Sequence, residues 1–557
     1  MSTTKVLEPY NNWPNDAGFE PGHEERSPVE LQVTGTIPSY VSGTLYRTGP
    51  GGYQVKTDVG TTYSVDHWFD GFTQNHRFQI ISSPGSPPRV LYNSRFAVDS
   101  LIETIRKTGK LDDFNFGQKR DPCISFFRKV MSMFVPDNSP KAIAHANIGV
   151  TLSANPPGLK DITGSAKKSK SDGHASGIQT LWTKTDAAVY RQIDPETLEP
   201  IGFADQKSLH HELVGHMSAA HAKSDPVTGD IFNYNLDVGR AHTYRVFRVS
   251  ADTGETEILA TITDARGAYL HSMMITENYI VLCIWSAHYA WGGAKILWDK
   301  NMLDAIGTFD PSKKALWYVI DRRHGKGVVS KYETDPFFCF HTINAWEEPS
   351  PSNPSQTDIV ATLCAYENLD VLKRFYYSNI KSTSPDSLEY MGERGDITRP
   401  NLRRWRLPSI GSSEGSRAAV SEHIAPKAHS CDLPSINPRF IAKPSRYVYG
   451  ASDRGNSTFF DGLVKYDMQS KNPTYWHVQG QNPGEPVFIA NPVGVDEDDG
   501  VLLSVVLDGH KTKSYLLVLD ARTMEEVGRA SMETVVGFGF HGTHFPQTAA
   551  GTPSVDT

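Results

Sequence analysis

The stretch YRVFRVSADTGETEILATI (244–262) decides the fold class, because it contains the pattern of a complete β-hairpin. Apolar and polar residues alternate on both sides of an Asp and Gly turn, which is typical of two antiparallel strands. The same unit of strand, Asp, turn and strand recurs at 189–204, 315–332, 462–478 and 515–532. Such repeats predict an all-β protein, either a β-propeller with four-stranded blades or a pair of β-sandwiches.

The composition supports a folded, turn-rich protein and excludes several other classes. Of 557 residues, 38% are hydrophobic and 21% are charged, which excludes a disordered chain and a membrane bundle. Aromatic residues make up 10%, and 45 Gly and 35 Pro favour strands and turns over helical repeats. A formal net charge of −8 argues against a nucleic-acid partner, which needs a basic surface.

Neither end of the sequence suggests export or a membrane span. The start, MSTTKVLEPYNNWPND, lacks the basic and apolar regions of a signal peptide, and no apolar stretch reaches 18 residues. The five cysteines are scattered without a CxxC pair, so neither a disulfide framework nor a structural zinc site is expected. The sequence therefore predicts a reduced, cytoplasmic chain, with peripheral contact to lipid left open and no indication of oligomeric state.

Helical periodicity is confined to two segments, 100–111 and 123–135. The second places several large apolar residues on one face, which favours packing on the core, a wall of an apolar tunnel or a patch that dips into a membrane. Segments 162–177, 348–357 and 409–417 have the Gly, Ser and Pro content of loops.

The histidines are the strongest candidates for chemistry. HELVGH (211–216) resembles a zinc motif, but its two histidines are five apart, and on a helix they diverge by about 140°. Four others border strand-like sequence far apart in the chain, so a metal site needs strands that converge on one axis, as in a propeller. Ordinary core histidines are the alternative. The four are His221, His271, His341 and His541.

Around these histidines the sequence resembles the carotenoid cleavage oxygenase family, in particular its fungal branch. The resemblance rests on SGTLYRTGPG (42–51), DHWFDGFTQNHRF (66–78), AAHAKSDPVTGD, LHSMMITENY, FHTINAWEE, EPVFIANPVGVDEDDGVLLSVV (485–506) and GFGFHGTHFP. It implies a seven-bladed propeller with a loop-and-helix cap over an axial iron site. It divides the chain into an N-terminal extension (1–27), one domain (28–546) and a flexible tail (547–557).

The resemblance also implies the site residues. The four histidines above would bind Fe(II), with O2 as co-substrate, and His544 would not. Three acidic side chains, Asp186, Asp432 and Glu485, would hold the second ring nitrogen of three ligands, which fixes the tautomer and aim of each imidazole. Carboxylates that only cap strand ends are the alternative.

The implied reaction is oxidative cleavage of a conjugated carbon–carbon double bond to two carbonyl products. An apolar aromatic tunnel would hold the alkene close to the metal. The residues expected to contact this apolar substrate are Phe126, Phe127 and Trp346, and further candidates for the tunnel are Trp68, Phe69, Trp285, Tyr289 and Trp291. Ordinary core packing is the alternative for each of them.

We expect a hydroxylated stilbene such as resveratrol as the substrate, because Lys184 falls close to a lysine with which the family's stilbene cleavers bind, and help to deprotonate, a phenol. A surface lysine is the alternative. The partner tyrosine of those enzymes has no clear match, and Phe96 is the nearest residue. Carotenoid or apocarotenoid cleavage, a retinoid isomerohydrolase and a non-enzymatic interaction platform are the competing interpretations.

Overall fold

The computed structural model describes residues 8–111, 115–118, 138–162, 178–238, 241–293, 295, 301–411 and 415–547. These residues contain 33 strands and six α-helices, besides several short 3-10 turns. The helices are α1 Asp99–Thr108, α2 Pro140–Ile143, α3 Met302–Ala305, α4 Asp370–Arg374, α5 Tyr377–Ile380 and α6 Glu393–Ile397. The strands are β1 Val29–Gly35, β2 Gly43–Pro50, β3 Gln54–Lys56, β4 Thr62–Ser64, β5 Thr73–Ile81, β6 Arg89–Phe96, β7 Thr151–Ala154, β8 Leu181–Lys184, β9 Val189–Ile193, β10 Pro200–Asp205, β11 Lys223–Ser224, β12 Ile231–Asp237, β13 Thr243–Val249, β14 Thr256–Ile262, β15 Met274–Ile275, β16 Tyr279–Ile284, β17 Ala315–Asp321, β18 Val328–Thr334, β19 Phe338–Pro349, β20 Thr357–Tyr366, β21 Asn401–Leu407, β22 Ser416–Ala418, β23 Val420–Ile424, β24 Asp432–Ser435, β25 Tyr447–Ser452, β26 Gly462–Asp467, β27 Pro473–Trp476, β28 Gln481–Pro483, β29 Val487–Ala490, β30 Gly500–Asp508, β31 Lys513–Asp520, β32 Glu526–Ser531 and β33 His541–Pro546.

The strands form five separate four- or five-stranded sheets and one ten-stranded sheet, besides the small β3–β4 pair. The five sheets contain β7–β10, β11–β14, β15–β18 with β22, β19–β21 with β23, and β24–β27. In the ten-stranded sheet, β1 pairs with β32 on one side and β6 on the other, and β2 pairs with β33. Strands from the two ends of the described chain therefore close the fold.

The first strands of neighbouring sheets contact one another around a common axis. β15 contacts β19, β19 contacts β24, β29 contacts β33, and β33 contacts β7. Hydrogen bonds complete the ring: Thr151 Oγ1 donates to the carbonyl of Ala220 (2.7 Å), and the Phe488 amide donates to Ser435 Oγ (3.2 Å). The architecture is therefore all-β and propeller-like, and residues at the inner strand ends converge on one point.

The five hairpin units predicted from the sequence are confirmed as antiparallel strand pairs within their sheets. The repeated Asp has a local role in four of them, because its carboxylate accepts backbone N–H groups of the turn that follows, as Asp194 does from Glu196 and Thr197. The middle strand β30 is buried along its whole length, because both of its faces are covered. The outer strand β14 has exposed and half-exposed residues beside its buried ones.

The helical prediction for 100–111 is confirmed by α1, which buries Leu101 and Ile105. The predicted helix 123–135 and most of the loop 162–177 lie outside the described residues. The loop prediction for 409–417 is wrong at its end, where β22 begins and pairs in parallel with β18. No described helix is both long and apolar enough to cross a membrane.

Candidate metal centre

The four predicted histidines meet on the axis. His541 begins β33, His341 lies in β19, and His221 and His271 lie two or three residues before β11 and β15. Backbone bonding joins these segments: the His221 amide donates to the His271 carbonyl at 3.2 Å. All four side chains are buried, and one ring nitrogen from each lies within 4.8 Å of all the others.

The spacing of the ring nitrogens fits a single metal ion. Nε2 of His541 lies 3.0 Å from Nε2 of His221 and 3.2 Å from Nε2 of His341. Ligand atoms at right angles, each about 2.1 Å from a metal, are about 3.0 Å apart. Imidazole nitrogens suit a divalent iron, copper or zinc ion, and four such ligands leave positions open on an octahedral ion.

Three carboxylates fix the tautomers of three of the histidines. Nδ1 of His271 lies 2.8 Å from Asp186 Oδ1 and Oδ2, Nδ1 of His341 lies 2.5 Å from Asp432 Oδ1, and Nδ1 of His541 lies 2.7 Å from Glu485 Oε1. When the three carboxylates are ionised they only accept hydrogen bonds, so each Nδ1 carries the proton and each Nε2 keeps its lone pair.

This tautomer assignment brings the lone pairs of His341 and His541 Nε2 face to face at 3.2 Å without a proton between them. A cation bound between the rings removes the repulsion, so the residues fit the metal that the sequence predicts.

Burial favours the neutral form of three of the imidazoles, those of His221, His341 and His541. Desolvation, with the neighbouring histidines adding to it, lowers the pKa of His221 and His541 well below the ordinary value, and burial lowers the pKa of His341 to about 4. Neutral imidazole is the form that binds a metal. Burial also raises the pKa of Glu485 to about 7, although Arg47 and the Gly542 amide act in the opposite direction.

A cluster of aromatic side chains packs beside the histidines. The ring of Phe69, within the motif DHWFDGFTQNHRF, lies 4.8 to 5.6 Å from the rings of Phe116, Phe340, Phe375 and Phe540. The ring of Phe340 also lies 6.1 Å from those of His271 and His341. We call Phe69, Phe116, Phe340, Phe375 and Phe540 the aromatic wall. It is an apolar cluster of packed rings directly beside the metal centre.

Lys184 is buried at the end of β8 and lines a small cavity together with His221, His541 and Glu485. The surface-lysine alternative is therefore wrong. A larger cavity reaches His221, His341 and His541 along the axis and is lined by apolar residues that include Pro434, Pro486 and Phe488.

The other residues predicted to contact substrate lie in different environments. Trp346 lies five residues beyond His341 on β19, where its indole donates to Glu348 and packs under the Arg404 guanidinium, so the structure gives it a packing role. Phe126 and Phe127 lie outside the described residues. Trp285 is fully buried and donates to the Tyr269 carbonyl, whereas Trp291 is 72% exposed.

Sequence reasoning missed several residues around the site. Phe340 and Phe540 come directly before two of the histidines, and this adjacency was the signal that could have found them. Arg47, which donates to the Glu485 carbonyl at 3.1 Å, lies in the SGTLYRTGPG motif. Tyr269 and Tyr366, whose hydroxyls donate to Asp186 and Asp432, have no local signal that separates them from core tyrosines.

Comparisons with known proteins agree with this geometry. Residues 18–546 match the family model described as retinal pigment epithelial membrane protein. The chain belongs to the carotenoid cleavage oxygenase family. It is 41% identical to a carotenoid dioxygenase of Neurospora crassa over 96% of this chain and 92% of that protein. It is 42% identical to a torulene dioxygenase of Fusarium fujikuroi over 97% and 95% of the two chains.

Among solved structures, this carotenoid cleavage oxygenase is similar to cobalt-substituted Synechocystis apocarotenoid oxygenase. The TM-score is 0.69 at 20% identity, over 95% of this chain and 97% of that one, which supports the fold alone. Family membership confirms the predicted enzyme class, an iron-dependent dioxygenase that cleaves a carbon–carbon double bond with Fe(II) and O2. The non-enzymatic platform is thereby excluded.

Proposed function

We propose that this enzyme cleaves one conjugated double bond of a carotenoid or apocarotenoid, placing one oxygen atom of O2 on each of the two carbonyl products. The observation that carries the proposal is the buried four-histidine cluster beside an aromatic wall. The names of the fungal relatives, a carotenoid dioxygenase and a torulene dioxygenase, favour this substrate class over the stilbene expected from Lys184.

In this proposal His221, His271, His341 and His541 hold the iron, and Asp186, Asp432 and Glu485 hold three of them in place. The support is the convergence of the four ring nitrogens within 4.8 Å and the three hydrogen bonds to Nδ1. Bound Fe(II) supplies the binding and activation of O2.

The protein's own contribution is to position the alkene and exclude water. Phe69, Phe340 and the rest of the aromatic wall offer a surface without charge, which suits a polyene that can make no strong polar contact. Packing against rigid rings holds one double bond at the metal centre and reduces the entropy lost on reaching the reactive geometry.

The remaining architectural proposals concern the domain. We count seven blades, because β1 joins what are otherwise two four-stranded units in the ten-stranded sheet: β29–β32, and β33 with β2, β5 and β6. Residues 28–546 then form one propeller domain, capped by segments that include Trp68–Asp70 and α4. A cytoplasmic enzyme with peripheral contact to lipid fits an apolar substrate.

The test is a substrate panel. Purified enzyme loaded with Fe(II) is incubated in air with torulene, β-carotene, an apocarotenal and resveratrol, and the aldehyde products are identified by mass spectrometry. We expect a pair of carbonyl products from at least one carotenoid or apocarotenoid. Cleavage of resveratrol alone would overturn the proposal and restore the stilbene interpretation, in which Lys184 binds the phenol.

A further inference from the structure

We propose that Tyr269 and Tyr366 are positioning residues of the metal centre, each orienting the aspartate that holds a ligand histidine. The Tyr269 hydroxyl donates to Asp186 Oδ2 at 2.9 Å, and Asp186 in turn holds Nδ1 of His271. The Tyr366 hydroxyl donates to Asp432 Oδ2, while Oδ1 of the same carboxylate holds Nδ1 of His341. Two unrelated parts of the chain thus form the same Tyr–Asp–His relay.

The third carboxylate achieves the same orientation without a tyrosine. Glu485 holds His541 with Oε1, and its Oε2 accepts the Gly542 amide at 2.7 Å, directly beside the ligand. Each aspartate is one methylene shorter than Glu485. Each also accepts a backbone amide on Oδ1, from Ala220 at 3.1 Å or Leu433 at 2.8 Å, and accepts the tyrosine hydroxyl on Oδ2, which in Asp186 also lies 2.8 Å from His271 Nδ1.

The ring of each tyrosine packs against a residue of the aromatic wall. The Tyr269 ring lies 5.6 Å from the ring of Phe116, and the Tyr366 ring lies 5.8 Å from that of Phe340. Both tyrosines are almost fully buried. They therefore connect the aromatic wall to the carboxylates behind the metal ligands, and packing at the wall sets the direction of each hydroxyl.

Loss of either hydroxyl should weaken metal binding. Each tyrosine hydroxyl donates a hydrogen bond to a carboxylate oxygen, which can only accept when it is ionised. Without it, one buried oxygen of the aspartate has lost a partner, and the carboxylate is free to rotate away from the histidine. Substitution of a residue that supports a metal ligand through hydrogen bonds typically lowers metal affinity or activity by about 10- to 100-fold. We expect a loss of Fe(II) affinity near the lower end of that range.

The experiment compares Tyr269→Phe and Tyr366→Phe with Tyr449→Phe. Tyr449 is a matched control, because it is buried and its hydroxyl donates to the Ala521 carbonyl at 3.0 Å, away from the metal centre. The readouts are Fe(II) affinity by competition with a chelator and the visible spectrum of the Co(II)-substituted protein. We expect about a 10-fold weaker affinity and a changed Co(II) spectrum in the first two variants only.

A second pair of variants tests whether the effects of Tyr366 and Asp432 on metal binding are coupled. Asp432→Glu adds a methylene where the Tyr366 hydroxyl already lies, so it should weaken Fe(II) binding. Asp432→Glu combined with Tyr366→Phe removes the crowding and should recover part of the affinity. Additive losses in the double variant would overturn the proposal, as would wild-type affinity and an unchanged Co(II) spectrum in both single Phe variants.

The inference rests on the proposed ligation by the four histidines, and the experiment separates the two. His271→Ala and His341→Ala test the ligation itself. If they bind Fe(II) as the wild type does, the ligation is wrong. If they lose it while Tyr269→Phe and Tyr366→Phe do not weaken it, the ligation stands and the positioning role fails.

Discussion

The metal centre and the aromatic wall lie side by side but are built from different kinds of structure. The histidines come from the ends of inner strands, which hydrogen bonds join into a ring. Much of the wall comes from connections: Phe69 lies in a short 3-10 turn, Phe116 in the segment 115–118, and Phe375 directly after α4. The histidines thus lie on the strands of the sheets, whereas much of the surface proposed for substrate contact lies on the connections between them, where binding residues are common.

The sharpest test of this contrast is the removal of one ligand. His541→Ala should abolish both Fe(II) binding and alkene cleavage, because the metal centre loses one of four nitrogens and the hydrogen-bond partner of Glu485. The fold should persist, since the sheets have apolar cores of their own. Iron content, turnover and circular dichroism measure the three effects.

His544→Ala is the matched control for that change. His544 lies three residues further along β33, and its Nε2 bonds the Val41 carbonyl at 3.0 Å rather than a metal. We expect iron content close to that of the wild type. Iron loss as complete as in His541→Ala would show that the ligand assignment within HGTH is wrong.

A smaller effect is expected at a carboxylate that forms a hydrogen bond with a ligand histidine. Glu485→Gln keeps the shape of the side chain, but it replaces one carboxylate oxygen with an NH2 group that cannot accept a hydrogen bond, so the bond from either His541 Nδ1 or the Gly542 amide is lost. Activity or iron affinity should fall about 10- to 100-fold. Unchanged values for both would reduce Glu485 to a residue of the strand end.

The sequence predicted the metal centre better than the wall, and the reason is physical. A metal ligand and its carboxylate need a particular residue type, so His541 and Glu485 stand within recognisable motifs. A wall needs only apolar area, which many residues supply, so Trp346 looked as suitable as Phe340 until the strand register placed it under Arg404. Hairpins were predictable because their Asp and Gly turns are local.

Asp70 provides a test of the aromatic wall that does not involve the metal centre, because its carboxylate forms hydrogen bonds with the backbone at Phe116. Its buried carboxylate accepts the amides of Phe116 at 2.6 Å and Gly117 at 2.7 Å, which fixes the Phe116 ring against Phe69. Asp70→Asn loses one of these bonds, since an amide has a single acceptor oxygen. We expect KM to rise several-fold, as loss of one such bond costs about 1 kcal/mol, with iron affinity unchanged. A fall in iron affinity without a change in KM would contradict the separation of the two regions.

The smallest effect is one of stability and pH, and it concerns His67 beneath the wall. Its Nε2–H donates to the Leu372 carbonyl at 2.8 Å, and its Nδ1 accepts the Phe69 amide at 3.2 Å. Only the neutral ring can make both bonds, and burial lowers its pKa to about 4. Because the folded-state pKa lies below the unfolded value of 6.5, the unfolded chain binds the proton more tightly. The stability contributed by His67 is therefore complete above about pH 6.5 and is lost as the pH falls toward 4, by about 2 kcal/mol at pH 5.

Denaturant unfolding of the wild type and His67→Asn at pH 7 and pH 5 measures this loss of stability. The variant should be less stable at pH 7 but lose less stability between the two values, because the amide oxygen that replaces Nδ1 does not titrate. Equal losses in the two proteins would mean that His67 does not titrate in this range.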